Sequence, residues 1–261
     1  MQHFISGLPR SGSTLLASIL RQNPDIYANI QSPIGQLLTT ILDKMTPYGN
    51  EAAFFFDEAQ RTAILRGVFR SYYDGYPDVV FDNNRRWCAH MGLLNHLFPG
   101  SRVIACVRPV AEIIDSFERV FARDPTLIST ILGASNLSLL QRIGILMGPE
   151  GVVGYPLAAL QEAYAGPYKA NLCVIEYRNL ITDPLGVLRN LHSVLGIPWY
   201  DGYKIDDVES PFGVELFDAA IGTPGLHTVK PVIRPNYPKT QMLPDRLMAT
   251  FPAPFWERVN A

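Results

Sequence analysis

The sequence predicts an α/β fold: a doubly wound, mainly parallel sheet flanked by helices, followed by a proline-rich C-terminal lid or tail. Three observations predict it. Short apolar runs are continuous rather than alternating, as in strands buried on both faces. Amphipathic stretches of helical period lie between them. A glycine-bearing turn joins the first run to the first helical stretch, "HFISGLPRSGSTLL".

In chain order, the strands are "HFIS" at 3–6, "DVVF" at 78–81, "RVIACV" at 102–107 and "LCVIEY" at 172–177. The first helix is carried by Leu15, Leu16, Ile19 and Leu20 and stops at Asn23-Pro24, where proline blocks continuation. The stretches at 56–75 and 87–98 also have helical character. Val110, Ile113, Ile114, Phe117, Val120 and Phe121 keep the 3.6-residue period. So do Leu185, Leu188, Leu191 and Leu195, which end at Gly196 and Pro198. Beyond about residue 200 the periodicity fades, and eight prolines fall between Pro211 and Pro254. Such a segment is expected to cover a site. The 261 residues are read as a single domain, with its core at 3–200 and a substrate- or cofactor-covering segment at 201–261.

Composition sets the outer limits. Hydrophobic residues make up 48% and charged ones 18%, which excludes a disordered chain. A net charge of −2 exerts no global pull on nucleic acid or anionic membrane, so an anion site must be built locally. Cys88, Cys106 and Cys173 are widely spaced and read as buried thiols of a reducing compartment. No apolar run reaches the ~18 residues of a membrane span, and a soluble cytoplasmic protein is expected.

The turn carries the chemistry. Gly7, Gly12 and Thr14 stand where G-x-x-x-x-G-K-[ST] requires them, making the fold P-loop-type, but Ser13 replaces the lysine that reaches β- and γ-phosphates. Strand, turn and helix N-terminus still form an anion cradle, with hydroxyls from Ser11, Ser13 and Thr14 and a charge from Arg10. In magnesium-dependent phosphoryl transfer a second strand ends in a metal-holding aspartate. Here "RVIACV" ends in Arg108, and Ser116 follows about two helical turns later. A cation at that edge repels a metal and attracts a second anion.

At these residues the chain resembles a known family. "FISGLPRSGSTLL" resembles the 5′-phosphosulfate loop of sulfotransferases, and "RVIACVRPVAEIIDS" resembles their 3′-phosphate motif. "VIEYRNLITDPLGVLRNLHSVLGIPW" is similar to a later strand–helix block of the same family. The resemblance covers roughly residues 3–200 and leans toward the tyrosylprotein and bacterial branches. It implies 3′-phosphoadenosine 5′-phosphosulfate as donor, adenosine 3′,5′-bisphosphate as product, a hydroxyl acceptor and no metal. It places Arg108 and Ser116 on the 3′-phosphate, Tyr177 near the cofactor, and Lys230 in a segment closing over it. Arg10, Ser11, Gly12, Ser13 and Thr14 are expected to hold the 5′-phosphate, Arg10 also carrying charge developed during transfer. Arg85, in "VFDNNRRW" at a sheet edge, is a candidate second catalytic cation, or else a surface arginine paired with Asp82. Arg119 and Arg123 read as a solvated helix face.

The general base departs from the resemblance. Counting from Arg10 to the glutamate of the tyrosylprotein branch reaches Gln31, which cannot take up a proton. His227, in "TPGLHTVKP" beside Lys230, is the expected base, with Asp82 as second choice. Two rival readings stay open: a small-molecule kinase with a variant loop, and a nucleotide-binding regulator without catalysis. The acceptor is expected to be a small-molecule alcohol in preference to a protein.

Overall fold

The computed structural model describes residues 1–47, 51–123, 129–235 and 241–259. Its centre is one sheet of five parallel strands: β1 (Gln2–Gly7), β2 (Ile26–Ala28), β3 (Val79–Asn83), β4 (Val103–Val107) and β5 (Leu172–Glu176). The spatial order is β2-β3-β1-β4-β5. The four strands read from the sequence are all present. The additional strand, β2, is three residues long and too short to show a period.

The helices are α1 (Ser13–Leu20), α2 (Ile34–Lys44), α3 (Glu58–Tyr72), α4 (Met91–Leu97), α5 (Val110–Phe121), α6 (Leu139–Met147), α7 (Gly154–Ala165), α8 (Tyr177–Thr182), α9 (Pro184–Leu195), α10 (Val214–Ala220) and α11 (Asp245–Met248). Strand residues alternate between the two faces, which have separate cores. Phe4, Val103, Ala105 and Val107 face the helices α2, α3, α4, α5 and α7. Ile5, Ile104 and Cys106 face α1, α8 and α9 on the opposite side. The sheet is therefore covered on both faces, as the continuous apolar runs require.

Register brings the functional positions to one edge. Gly7 pairs with Cys106, Ile5 with Asn83, and Val107 with Glu176. The chain thus leaves β1, β3, β4 and β5 at one level, setting the 8–12 turn beside Arg85, Arg108 and Tyr177. The crossover from β1 runs toward β2 and that from β4 toward β5. The crevice between β1 and β4 is the switch point at which open α/β sheets bind ligands.

The C-terminal part divides in two. Backbone hydrogen bonds Val208 N–Pro231 O and Ile233 N–Ile205 O, both 2.8 Å, fold residues 205–233 back on themselves at the sheet's carboxyl edge. Residues 241–256 instead pack on the α5 side, where Leu243 and Trp256 are buried and Asp115 Oδ1 accepts from the amides of Met242 and Leu243. Of the segment expected to cover a site, the first half thus lies at the sheet edge, and the second half is anchored on the α5 side by Leu243 and Trp256. Pro238 lies outside the described residues. Among the described residues no helix is long and apolar enough to cross a membrane. Burial raises the thiol pKa of Cys88 to about 11 and of Cys106 to about 12, which keeps both protonated and unreactive.

Candidate functional site

The turn after β1 is fixed by backbone geometry. Gly7 has φ +97°, and a Cβ there would stand 2.2 Å from the Cys106 carbonyl oxygen, so only glycine lets β1 and β4 approach this closely. Gly12, at φ +91°, precedes α1 and lies against the Tyr177 ring. No side chain caps α1, whose first amides have no acceptor within the helix. Uncapped amides and the positive end of a helix dipole are the groups from which anion cradles are built.

Arg10 is the odd residue in this turn. Its φ of +59° is a left-handed conformation rare for a long side chain, and it aims the guanidinium across the site. Nε donates to Ser116 Oγ at 3.1 Å, and Nη1 donates to the Leu226 carbonyl. Burial, then neighbouring Arg108, and further Arg123, lower its pKa to about 10, so it stays charged at neutral pH. Arg108 Nη1 in turn donates to the Arg10 carbonyl at 3.4 Å. The Arg108 guanidinium lies 4.6 Å from the Tyr177 ring centroid, and its Nε pairs with Glu112 at 2.9 Å. Tyr177 therefore backs Arg108 and the turn together.

These groups share one large cavity of about 1500 Å³. Arg10, Gly12, Ser13, Thr14, Arg85, Arg108, Ser116, Tyr177, His227 and Lys230 all line it. Ser11 does not: it is fully buried and its hydroxyl donates to the Pro9 carbonyl at 3.3 Å. That corrects the expectation of a Ser11 hydroxyl at the mouth and leaves only its backbone N–H for an anion. Gln31 lines the cavity at the end of the β2 connection, where it carries an amide and no acid.

Asp82 is displaced as a candidate base. Its carboxylate is buried and accepts from Ser32, Tyr73 and, at 2.6 Å, Trp87 Nε1. With its oxygens taken by core donors it neither faces the cavity nor pairs with Arg85. Burial raises its pKa, and the three hydrogen bonds oppose that shift. Arg85 lines the cavity without a carboxylate partner among the described residues, and burial followed by Arg86 lowers its pKa. Arg119 and Arg123 also line the cavity; Arg123 is exposed, as a solvated face expects, and Arg119 is half-buried and held by Asp115.

His227 has a partner that the sequence did not disclose. Asp218 on α10, fully buried, accepts from the His227 backbone N–H at 2.8 Å and lies 2.5 Å from Nδ1. A carboxylate only accepts, so the neutral ring carries its proton on Nδ1 and leaves Nε2 basic. Nε2 has no protein partner among the described residues. Burial is the largest influence on the ring and lowers its pKa; Arg10 and Arg85 act the same way, and Asp218 opposes them. Asp218 and His227 stand on opposite sides of the turn "GTPG", a closeness without any spacing signature. The remaining histidines do not line the cavity; His192, for example, bonds Tyr203 OH at 2.9 Å inside the core.

Comparison with known proteins agrees with this fold. The sulfotransferase domain from the curacin biosynthetic pathway superposes with a TM-score of 0.51 and 17% identity, over 97% of this chain and 91% of its own. At that identity the likeness concerns the fold. An uncharacterized protein of Aquifex aeolicus (strain VF5) is 22% identical over 213 residues, 76% of this chain. The chain spans 26% of the length of that relative. The sequence model of the Sulfotransferase family matches residues 3–201, from the first strand past α9. The chain belongs to the Sulfotransferase family.

Proposed function

We propose that this protein moves a sulfuryl group from 3′-phosphoadenosine 5′-phosphosulfate to a hydroxyl acceptor without a metal. One observation carries the reading. Two cationic groups, the turn with Arg10 bonded to Ser116 and the strand end with Arg108, adjoin across β1 and β4, with an arginine where a metal-holding aspartate would stand. When bound, the donor supplies an activated sulfuryl group on a bisphosphate leaving group.

The residues present fit such a donor. The uncapped amides of α1 with Ser13 and Thr14 would hold the 5′-phosphate, and Arg108 with Ser116 the 3′-phosphate. Tyr177 keeps Arg108 in place, and exposed Lys230 adds charge at the rim. Arg10 stabilises negative charge as it grows on the leaving oxygens, and Arg85 approaches from β3. His227 Nε2 takes the acceptor's proton while Asp218 holds Nδ1 and steadies the imidazolium, the division of labour of other His–Asp pairs. Residues 205–233 exclude water above the site. A single-domain, cytoplasmic enzyme acting on a small-molecule alcohol is part of the same proposal.

Two experiments belong with it. Adenosine 3′,5′-bisphosphate should raise the melting temperature in the presence of EDTA. At 100 times its Kd, ligand stabilises by about 2.7 kcal/mol, and ATP with magnesium should do much less. A larger, magnesium-dependent shift with ATP would replace this reading by the kinase. Separately, Arg108→Ala should weaken bisphosphate binding roughly tenfold or more, the worth of a charged hydrogen bond. Binding of adenosine 5′-phosphosulfate, which lacks the 3′-phosphate, should hardly change. Equal losses for the two ligands, measured by calorimetry, would make Arg108 a support for Tyr177 and nothing more.

A further inference from the structure

The cavity is larger than one ligand needs. Pockets for drug-sized ligands run to roughly 300–1,000 Å³, so about 1500 Å³ leaves room for an acceptor beside the donor. Its charge is one-sided. Beyond Arg10, Arg108 and Lys230, the lining includes Arg85, Arg86, Arg119, Arg123 and Arg234; among the described residues its carboxylate comes from Glu150 alone.

Most arginines along α5 have acidic partners. Arg108 pairs with Glu112, Arg119 with Asp115, and Arg142 of α6 with Glu118. Arg123 and Arg86 have none among the described residues. Arg123 lies seven residues beyond Ser116, about 10 Å farther along the helix direction at 1.5 Å per residue. Its Nη1 is 3.4 Å from where a Cβ on Gly225 would stand, next to the Leu226–His227 strap. Arg86 also lines the cavity, its guanidinium 5.5 Å from the Tyr155 ring centroid on α7. The cavity wall also exposes apolar groups from these segments: Ile131, Ile145, Val152, Phe217 and Ile221.

Given sulfuryl transfer as proposed above, on which this rests, we infer that the acceptor is itself an amphipathic anion. Its apolar body lies along the Ile145–Val152 and Phe217–Ile221 walls, and a carboxylate or phosphate separate from its hydroxyl is held by Arg86 and Arg123. Both arginines are exposed to the cavity's solvent, and cations gathered around one cavity without carboxylates repel, so a second anion relieves that repulsion. A neutral alcohol would leave them uncompensated, which makes charge a basis for rejecting it.

The test uses the full chain saturated with adenosine 3′,5′-bisphosphate, with octyl phosphate, octanol and octylammonium as probes, read by thermal shift and calorimetry. Octyl phosphate should bind at least tenfold more tightly than octanol, and octylammonium should not bind. In the double variant Arg86→Gln/Arg123→Gln the preference for phosphate over alcohol should fall by tenfold or more, with bisphosphate affinity kept. Equal binding of octyl phosphate and octanol, or a preference untouched by the double variant, would overturn the anionic acceptor while leaving sulfuryl transfer standing. Failure of the bisphosphate itself to bind would instead bring down the transfer reading and this inference with it.

Discussion

Replacing His227 by alanine is expected to lower kcat by two orders of magnitude or more, with donor affinity within a few fold of the parent. A base in hydrogen-bond reach of the reacting hydroxyl contributes about 10²–10⁴ in rate. His227 is the imidazole that faces the cavity with one nitrogen uncommitted and the other held by a buried carboxylate. The companion variant Asp218→Asn separates chemistry from packing. Asp218 favours the imidazolium, so its charge raises the His227 pKa against burial, Arg10 and Arg85. Removing that charge should move the acidic limb of the rate profile to lower pH than in the parent. Turnover should fall as well, because the neutral ring loses its fixed tautomer. Bell-profile measurements at saturating donor check both. An unchanged limb and near-full turnover in His227→Ala would leave the acceptor without a protein base, since Asp82 is enclosed by Ser32, Tyr73 and Trp87.

Arg10→Ala should cost about 10²–10³ in kcat, the usual consequence of removing one donor from developing negative charge. The residue also ties the turn to Ser116 and to the Leu226 carbonyl, so the alanine variant frees the strap that carries His227. Arg10→Lys distinguishes the two effects. It keeps a charge but cannot span both partners as the forked guanidinium does. Recovery of most of the rate by lysine would assign the loss to charge. A lysine variant as slow as alanine, with the strap newly open to proteolysis, would assign it to the tether. Turnover within tenfold of the parent in Arg10→Ala would pass the electrostatic role to Arg85.

Much of the site was legible because its parts are local. The turn from Gly7 to Thr14 is one continuous segment in which glycine, hydroxyl and cation follow each other, and strand and helix flank it in the sequence itself. Arg108 and Ser116 were legible for the same reason: a strand end and a helix position two turns on are fixed relative to one another by helical geometry. The family model covers these segments, residues 3–201. Helix α2 escaped notice although its apolar positions have the right period, and β2 escaped because three residues hold no period at all.

By itself the sequence determined the layered fold, the order of its main elements and the two motifs proposed to hold oxyanions, because these depend on periodicity and on contacts between near neighbours. Tertiary structure alone decided which charges meet. It enclosed Asp82 among core donors, turned the Ser11 hydroxyl inward, brought Asp218 onto His227 and carried Arg85, Arg86 and Arg123 to one cavity. Those outcomes depend on strand register and on how residues 205–233 fold over the sheet edge. The energy of such a contact is set by distance and burial between segments that are remote in the chain, and neither quantity is written in the spacing of residues.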